Sequence, residues 1–247
     1  MTKKILLKKH LPLIALLGVI LVLSSCDWNF WKRIRGSGVV AEEFRTVAFF
    51  SGLDMGISAD VFFIMGAVQS LRIIGDDNIL PHIDTDVGGD GVLEISSRKS
   101  YRTDVGIKIY VVMQQINTLI LSGSGSIQGQ SQFVTDDLEL NLTGSGNMDM
   151  AVDANEIDSR ISGSGPINLR GSALFHWIEI PGSGNMNALN LITNRCEITI
   201  SGSGDCNVFV NSVLDVLISG SGNVYYMGSP GSVTTNITGS GQVIKLD

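Results

Sequence analysis

The run Leu142-Thr143-Gly144-Ser145-Gly146-Asn147-Met148 returns nineteen residues later as Ile161-Ser162-Gly163-Ser164-Gly165-Pro166-Ile167. From residue 119 onward Gly-Ser-Gly begins at Gly123, Gly144, Gly163, Gly182, Gly202, Gly220 and Gly239, at intervals of 21, 19, 19, 20, 18 and 19 residues. Aligning on the triplet produces columns. Two residues before each triplet stands Leu121, Leu142, Ile161, Ile180, Ile200, Ile218 or Ile237. Two positions earlier the column reads Leu119, Leu140, Ser159, Ile178, Ile198, Val216 and Thr235, with mostly polar residues between. Such period-2 alternation marks a strand with one buried face. After the triplet a polar residue (Ser126, Asn147, Pro166, Asn185, Asp205, Asn223, Gln242) precedes an apolar one (Ile127, Met148, Ile167, Met186, Cys206, Val224, Val243). Each unit therefore reads as strand, corner, strand and return.

A unit of about nineteen residues cannot enclose a core alone, so successive units must stack about 4.8 Å apart. The predicted fold is all-β, a parallel β-helix with Gly-Ser-Gly corners. Glycine is expected there because the chain turns without room for a Cβ, with φ > 0 at some positions. A propeller blade needs about twice this period, and no unit carries a helical apolar stripe. Residues 39–118 lack the triplet but are strand-rich around 57–65, 70–75, 91–96 and 105–113. They read as irregular early coils capping the solenoid, with an antiparallel subdomain as the other option. Residues 119–247 form the regular repeat.

The repeat also explains the composition. Of 247 residues 29 are glycine, and the seven triplets hold 14 of them. The formal charge of −7 argues against a nucleic-acid partner, which needs a basic face. The chain opens with Lys3, Lys4, Lys8 and Lys9, an apolar run over 11–23, and Leu23-Ser24-Ser25-Cys26. Thirteen residues are too short to span a bilayer as a helix, so residues 1–25 read as a secretory signal peptide. The ending resembles a bacterial lipobox, which implies cleavage before Cys26 and lipidation of its thiol. Residues 26–38 then form a tether: Trp28, Phe30 and Trp31 suit a membrane interface, and Gly36-Ser37-Gly38 loosens the chain. Loss of the four lysines leaves 13 basic and 24 acidic residues, a net charge of −11. The expected location is the outer membrane, on a face left open.

Further stretches resemble the head GIN domain family of auto-transporter adhesins, common among Bacteroidetes. They are Phe50-Ser51-Gly52-Leu53-Asp54, Gly75-Asp76-Asp77-Asn78-Ile79-Leu80-Pro81-His82-Ile83, Gly91-Val92-Leu93-Glu94-Ile95, and the units Gly144–Met148 and Gly182–Met186. The resemblance covers roughly residues 36–247. It implies a right-handed β-helix, exported and lipid-anchored, with no assigned activity.

Chemistry-bearing motifs are sparse. Gly-Ser-Gly without a following Gly-Lys-Ser/Thr and helix is not a phosphate loop. Calcium-binding solenoids repeat aspartate at fixed corner positions, and here only Asp149 and Asp205 lie beside triplets, in different columns. His82 and His176 offer no convergent zinc set, so no cofactor or metal is expected. Cys196 and Cys206 fall in inward columns on opposite sides of a corner, which places them as buried hydrophobes and leaves a disulfide as the less favoured option. An outward column runs Thr118, Glu139, Asp158, Trp177, Glu197, Asp215, Thr234. Stacked Glu139 and Asp158 have the spacing of a retaining glycosidase pair, although a solvated β-face also shows alternating acids. A candidate binding ridge is formed by Ser145, Asn147, Ser183, Asn185, Ser203, Asp205, Ser221 and Asn223. It would meet a glycan or an envelope protein, or else hydrogen-bond internally. The final coil is expected to template self-association through its open strand row. The sequence thus favours a non-catalytic, lipid-anchored envelope protein that presents a binding or scaffolding surface. A polysaccharide-processing β-helix enzyme is the alternative.

Overall fold

The computed structural model describes residues 33–247; the signal peptide expected over residues 1–25 and the expected lipidation site Cys26 lie outside the described residues. The first elements are β1 (Ile34–Arg35), β2 (Val40–Arg45), β3 (Gly52–Met55), β4 (Asp60–Met65) and β5 (Ser70–Asp76). A short 3-10 helix (Leu80–His82) leads into β6 (Ile83–Val87), β7 (Val92–Ser97), β8 (Tyr101–Arg102) and β9 (Lys108–Met113). Next come β10 (Thr118–Leu121), β11 (Ser126–Gly129), β12 (Phe133–Leu142), β13 (Asn147–Ile161) and β14 (Ile167–Ile180). The chain closes with β15 (Met186–Ile200), β16 (Cys206–Ile218), β17 (Val224–Met227), β18 (Ser232–Ile237) and β19 (Val243–Lys245).

The long strands β13 to β16 each make nearly a full coil. In β13 the buried positions are Met148, Met150 and Val152, then Ile157, Ser159 and Ile161. Alternation shifts from even to odd numbers across Ala154-Asn155-Glu156, and that extra residue bends the strand from one flank of the solenoid to the other. The inward side chains of both flanks meet in a single apolar core. An inward column read from the sequence is realised as an unbroken parallel pairing: Leu119, Leu140, Ser159, Ile178, Ile198, Val216 and Thr235 stand partner to partner from coil to coil. The last rung differs in burial. All of β18 is exposed, including Val233 and Ile237, because β18 pairs with β16 on one side only.

The corners carry a correction. None of the glycines in the seven repeat triplets from Gly123 to Gly241 has positive φ; that conformation occurs at Gly38, Gly91, Gly106, Gly171 and Gly228. Their requirement is steric. A Cβ on Gly163 would lie 1.9 Å from the Gly144 carbonyl oxygen, and one on Gly165 would lie 1.6 Å from that of Gly146. The ladder runs straight through the corner, with Ser164 N–H donating to Gly144 O at 3.1 Å and Ser183 N–H to Gly163 O at 3.0 Å. Each coil rests its corner on the carbonyls of the coil beneath.

The first half contains both options that the sequence left open. Two parallel coils are built from β7/β9 and from β3/β4, and antiparallel β2, β5 and β6 close the end. Spatial order is not chain order. β3 lies between β7 and β10, and β4 between β9 and β11, so the coil of residues 52–65 is sandwiched between later segments. Its corner is Ile57-Ser58-Ala59, and the next coil sets Gly123 and Gly125 on the carbonyls of Ile57 and Ala59. Arg45 plugs the end of the core. Its guanidinium donates to Ile83 O at 2.5 Å and Leu80 O at 2.9 Å, and pairs with Glu43 at 2.7 Å.

Candidate functional site

The ridge side chains are engaged in stacking. Asn185 Oδ1 accepts the Asp205 N–H at 2.8 Å, Asp205 Oδ1 accepts the Asn223 N–H at 2.7 Å, and Asn223 Oδ1 accepts the Gln242 N–H at 3.0 Å. Each therefore satisfies a backbone donor of the following coil. Ser145, Ser183, Ser203 and Ser221 are exposed and Asn147 is half-buried; their side chains take no part in these bonds. On the ridge, the Asn185, Asp205 and Asn223 side-chain oxygens are thus already engaged by the next coil.

The outward column on the second flank presents a different surface. Parallel pairing brings Thr118, Glu139, Asp158, Trp177, Glu197, Asp215 and Thr234 into one line. A groove of about 810 Å³ lies over it, lined by Glu156, Asp158, Trp177, Glu179, Glu197, Asp215, Leu217 and Asn236 among others. A smaller hollow of about 360 Å³ shares Glu156 and Asp158 and extends to Glu139, Asp137 and Thr118. Trp177, 41% exposed, forms an aromatic platform in the groove. Its indole packs against the Phe175 ring at 4.7 Å, and the Arg195 guanidinium stands over Phe175 at 5.6 Å. Arg195 also pairs with Glu197, and with Asp215 at 3.1 Å, which holds those carboxylates in place. Arg160 pairs with Glu179.

Seven carboxylates line the two hollows: Asp137, Glu139, Glu156, Asp158, Glu179, Glu197 and Asp215. Partial burial raises the Asp158 pKa above the ordinary carboxylate value, the Glu139 charge raises it further, and Arg160 offsets part of the rise. Glu139 accepts a hydrogen bond from Asn141 Nδ2 at 2.6 Å. The potential over the groove is negative, which favours neutral or cationic ligands and repels polyanions.

Cys196 and Cys206 are free, buried thiols. Burial drives both thiol pKa values up, which keeps them in the inert protonated form. His176 stands next to Cys196 in the inward column, fully buried, with Nε2 hydrogen-bonded to Ser159 Oγ at 3.0 Å and Nδ1 without a partner among the described residues. Burial lowers its pKa to about 3, so the ring is neutral. Among the described residues no group of three or more His, Cys, Asp or Glu converges as a metal site would require.

A family model described as "Putative auto-transporter adhesin, head GIN domain" matches residues 49–230. The chain belongs to the head GIN domain family. Within solved structures, a "putative adhesin" from Bacteroides fragilis is 26% identical with a TM-score of 0.82, covering 86% of this chain and 100% of that one. A "putative lipid binding protein" from Parabacteroides distasonis is 24% identical with a TM-score of 0.73, covering 87% and 100%. A "putative adhesin" from Parabacteroides merdae is 20% identical with a TM-score of 0.70, at the same coverage. No protein of curated function matches the sequence. Head GIN membership supports an adhesin-like role at the cell envelope or surface. It says nothing about which face of the solenoid binds. The groove supplies a candidate that the sequence reading passed over, because Trp177 stood only as an interruption of an acidic column. The available signal was a lone tryptophan at an outward position of a strand, where small polar residues suffice.

Proposed function

We propose that the protein is a non-catalytic, lipid-anchored envelope protein whose Trp177 groove docks a neutral or amino-bearing saccharide chain. The observation behind this reading is the exposed indole set between Asp158 and Glu197 within a groove. The ring offers a flat apolar face to the C–H face of a sugar, and the carboxylates accept hydrogen bonds from its hydroxyl or ammonium groups. The groove spans several coils, which suits an extended chain. A Trp anchor in a partly desolvated site typically carries about 2 kcal/mol or more, so Trp177→Ala should weaken binding about 30-fold. Calorimetric titration with chitosan oligosaccharide, a neutral β-glucan oligosaccharide and polygalacturonate tests it. Binding of either of the first two, lost in Trp177→Ala, is the expected outcome. Tighter binding of polygalacturonate would overturn the reading.

A second reading is favoured by one observation. Asp158, with its raised pKa, sits one coil from Glu139, about 4.8 Å along the stack, close to the separation of a retaining glycosidase pair. Turnover of any polysaccharide that disappears in both Glu139→Gln and Asp158→Asn would replace the binding role with catalysis.

A further inference from the structure

The end of the solenoid that receives the chain's first segment carries an apolar rim. Among the described residues β2 is the outermost strand of its flank and pairs with β5 alone. Its outward Val40 and Phe44 are 58% and 76% exposed, and Phe49 and Val68 are 55% and 78% exposed. Gln69 joins the latter two stretches, donating to Ala48 O at 2.8 Å and accepting the Phe50 N–H at 3.1 Å. Glu42 lies between Val40 and Phe44 on the same outward face, with its charge met by Arg72 at 3.1 Å. Single exposed apolar side chains are ordinary, but four of this size in the segments that close this end suit an interaction surface.

Beside the rim, β1 pairs with β8 so that exposed Arg35 lies opposite exposed Arg102. Like charges opposite one another disfavour pairing, and Asp104 stands 3.9 Å from Arg102. The ribbon and the rim meet at one turn: Asn78 Nδ2 donates to Arg35 O at 2.8 Å, and Asp77 N–H donates to Val39 O at 2.9 Å. Charge is polarised along the molecule. Residues 32–113 hold 9 basic and 11 acidic side chains, and residues 114–247 hold 4 and 12. Only six residues separate Cys26 from Arg33, a reach of at most about 25 Å.

We propose that this end is a membrane-docking surface for an anionic bilayer. Val40, Phe44, Phe49 and Val68 enter the headgroup level, and Arg35 and Arg102 meet lipid phosphates. The proposal rests on the anchoring of Cys26 for its geometry, and the short tether then permits no other end of the solenoid to reach the bilayer first. Trp177 lies on β14, six strand steps from β6 at the docked end, so the groove is held about 29 Å above the surface.

The test uses the lipidated full chain in phosphatidylethanolamine–phosphatidylglycerol vesicles. An environment-sensitive fluorophore is placed on a cysteine introduced by Phe44→Cys, Val68→Cys or, at the far end, Thr234→Cys. Blue-shifted emission at 44 and 68 but not at 234 is expected. Water-like emission at 44 in protein that floats with the vesicles would overturn the proposal. The unlipidated Cys26→Ser chain separates docking from anchoring. Its flotation with phosphatidylglycerol vesicles should exceed that with phosphatidylcholine and fall several-fold in Phe44→Asp/Val68→Asp. No such loss, with folding confirmed by thermal melting, would also overturn docking, whereas failure of anchoring alone shows as an absence of fatty acid on Cys26.

Discussion

The Gly-Ser-Gly ridge and the Trp177 groove are both polar, both periodic and both built from stacked columns, yet they do opposite things. On the ridge, Asn185, Asp205 and Asn223 each accept a backbone N–H of the next coil, and the glycines press on carbonyls below. In the groove, Glu156 and Asp158 line a hollow, and Trp177 keeps a large part of its ring in water. Repetition of a polar residue is therefore a mark of stacking. A break in the repetition, here a tryptophan in an acidic column, is the better pointer to a ligand.

The sharpest way to break this contrast is at a corner. Gly165→Ala places a Cβ 1.6 Å from the Gly146 carbonyl, with a backbone atom as its obstacle. A loss of about 3 kcal/mol or more is expected by urea denaturation. Ala59→Gly, the corresponding change in the corner that already carries a Cβ, should cost only about 0.5–1 kcal/mol. Next in size is a pH effect behind the groove. His176 has a folded pKa of about 3 against an unfolded value near 6.5, so the unfolded chain binds the extra proton between these limits. Its contribution to stability is intact above pH 6.5 and declines as pH falls toward 3, by about 2.7 kcal/mol at pH 4.5. His176→Leu should remove that part of the slope when melts are compared at pH 7 and 4.5. On the ridge itself, Asp205→Ala leaves the Asn223 N–H without its acceptor and should cost about 1–2 kcal/mol while leaving groove binding unchanged. The smallest expected effect on folding is that of Trp177→Ala, about 1 kcal/mol, because the ring is 41% exposed and its principal ring contact is Phe175.

The regular coils were legible because period-2 alternation and a fixed corner repeat in register, so seven aligned copies average out exceptions such as Ser159 and Thr235. The first half was not legible to the same depth. Its corner, Ile57-Ser58-Ala59, carries no glycine signature: the chain leaves the coil beneath between β7 and β9, so little there presses on a Cβ. The interleaving of residues 52–65 between later segments is a long-range pairing, and nothing local in Leu53-Asp54-Met55 distinguishes a neighbour at Leu93 from one at Leu119. The φ > 0 expectation failed because two causes favour glycine, and the sequence cannot tell a left-handed turn from a carbonyl in the way of a Cβ. His176 was hidden for a related reason. It occupies an inward apolar column, where its partner Ser159 is an equally anomalous residue one coil away.

The central claim is that ligand recognition lies in the groove and stacking lies on the ridge. One titration addresses it directly: a neutral or amino oligosaccharide against the parent protein, Trp177→Ala and Asn185→Ala, each checked for folding by its melting transition. The account predicts about 30-fold weaker binding in Trp177→Ala with a near-parental melt, and unchanged binding in Asn185→Ala with a lowered melt. Loss of binding in Asn185→Ala alongside full binding in Trp177→Ala would contradict it.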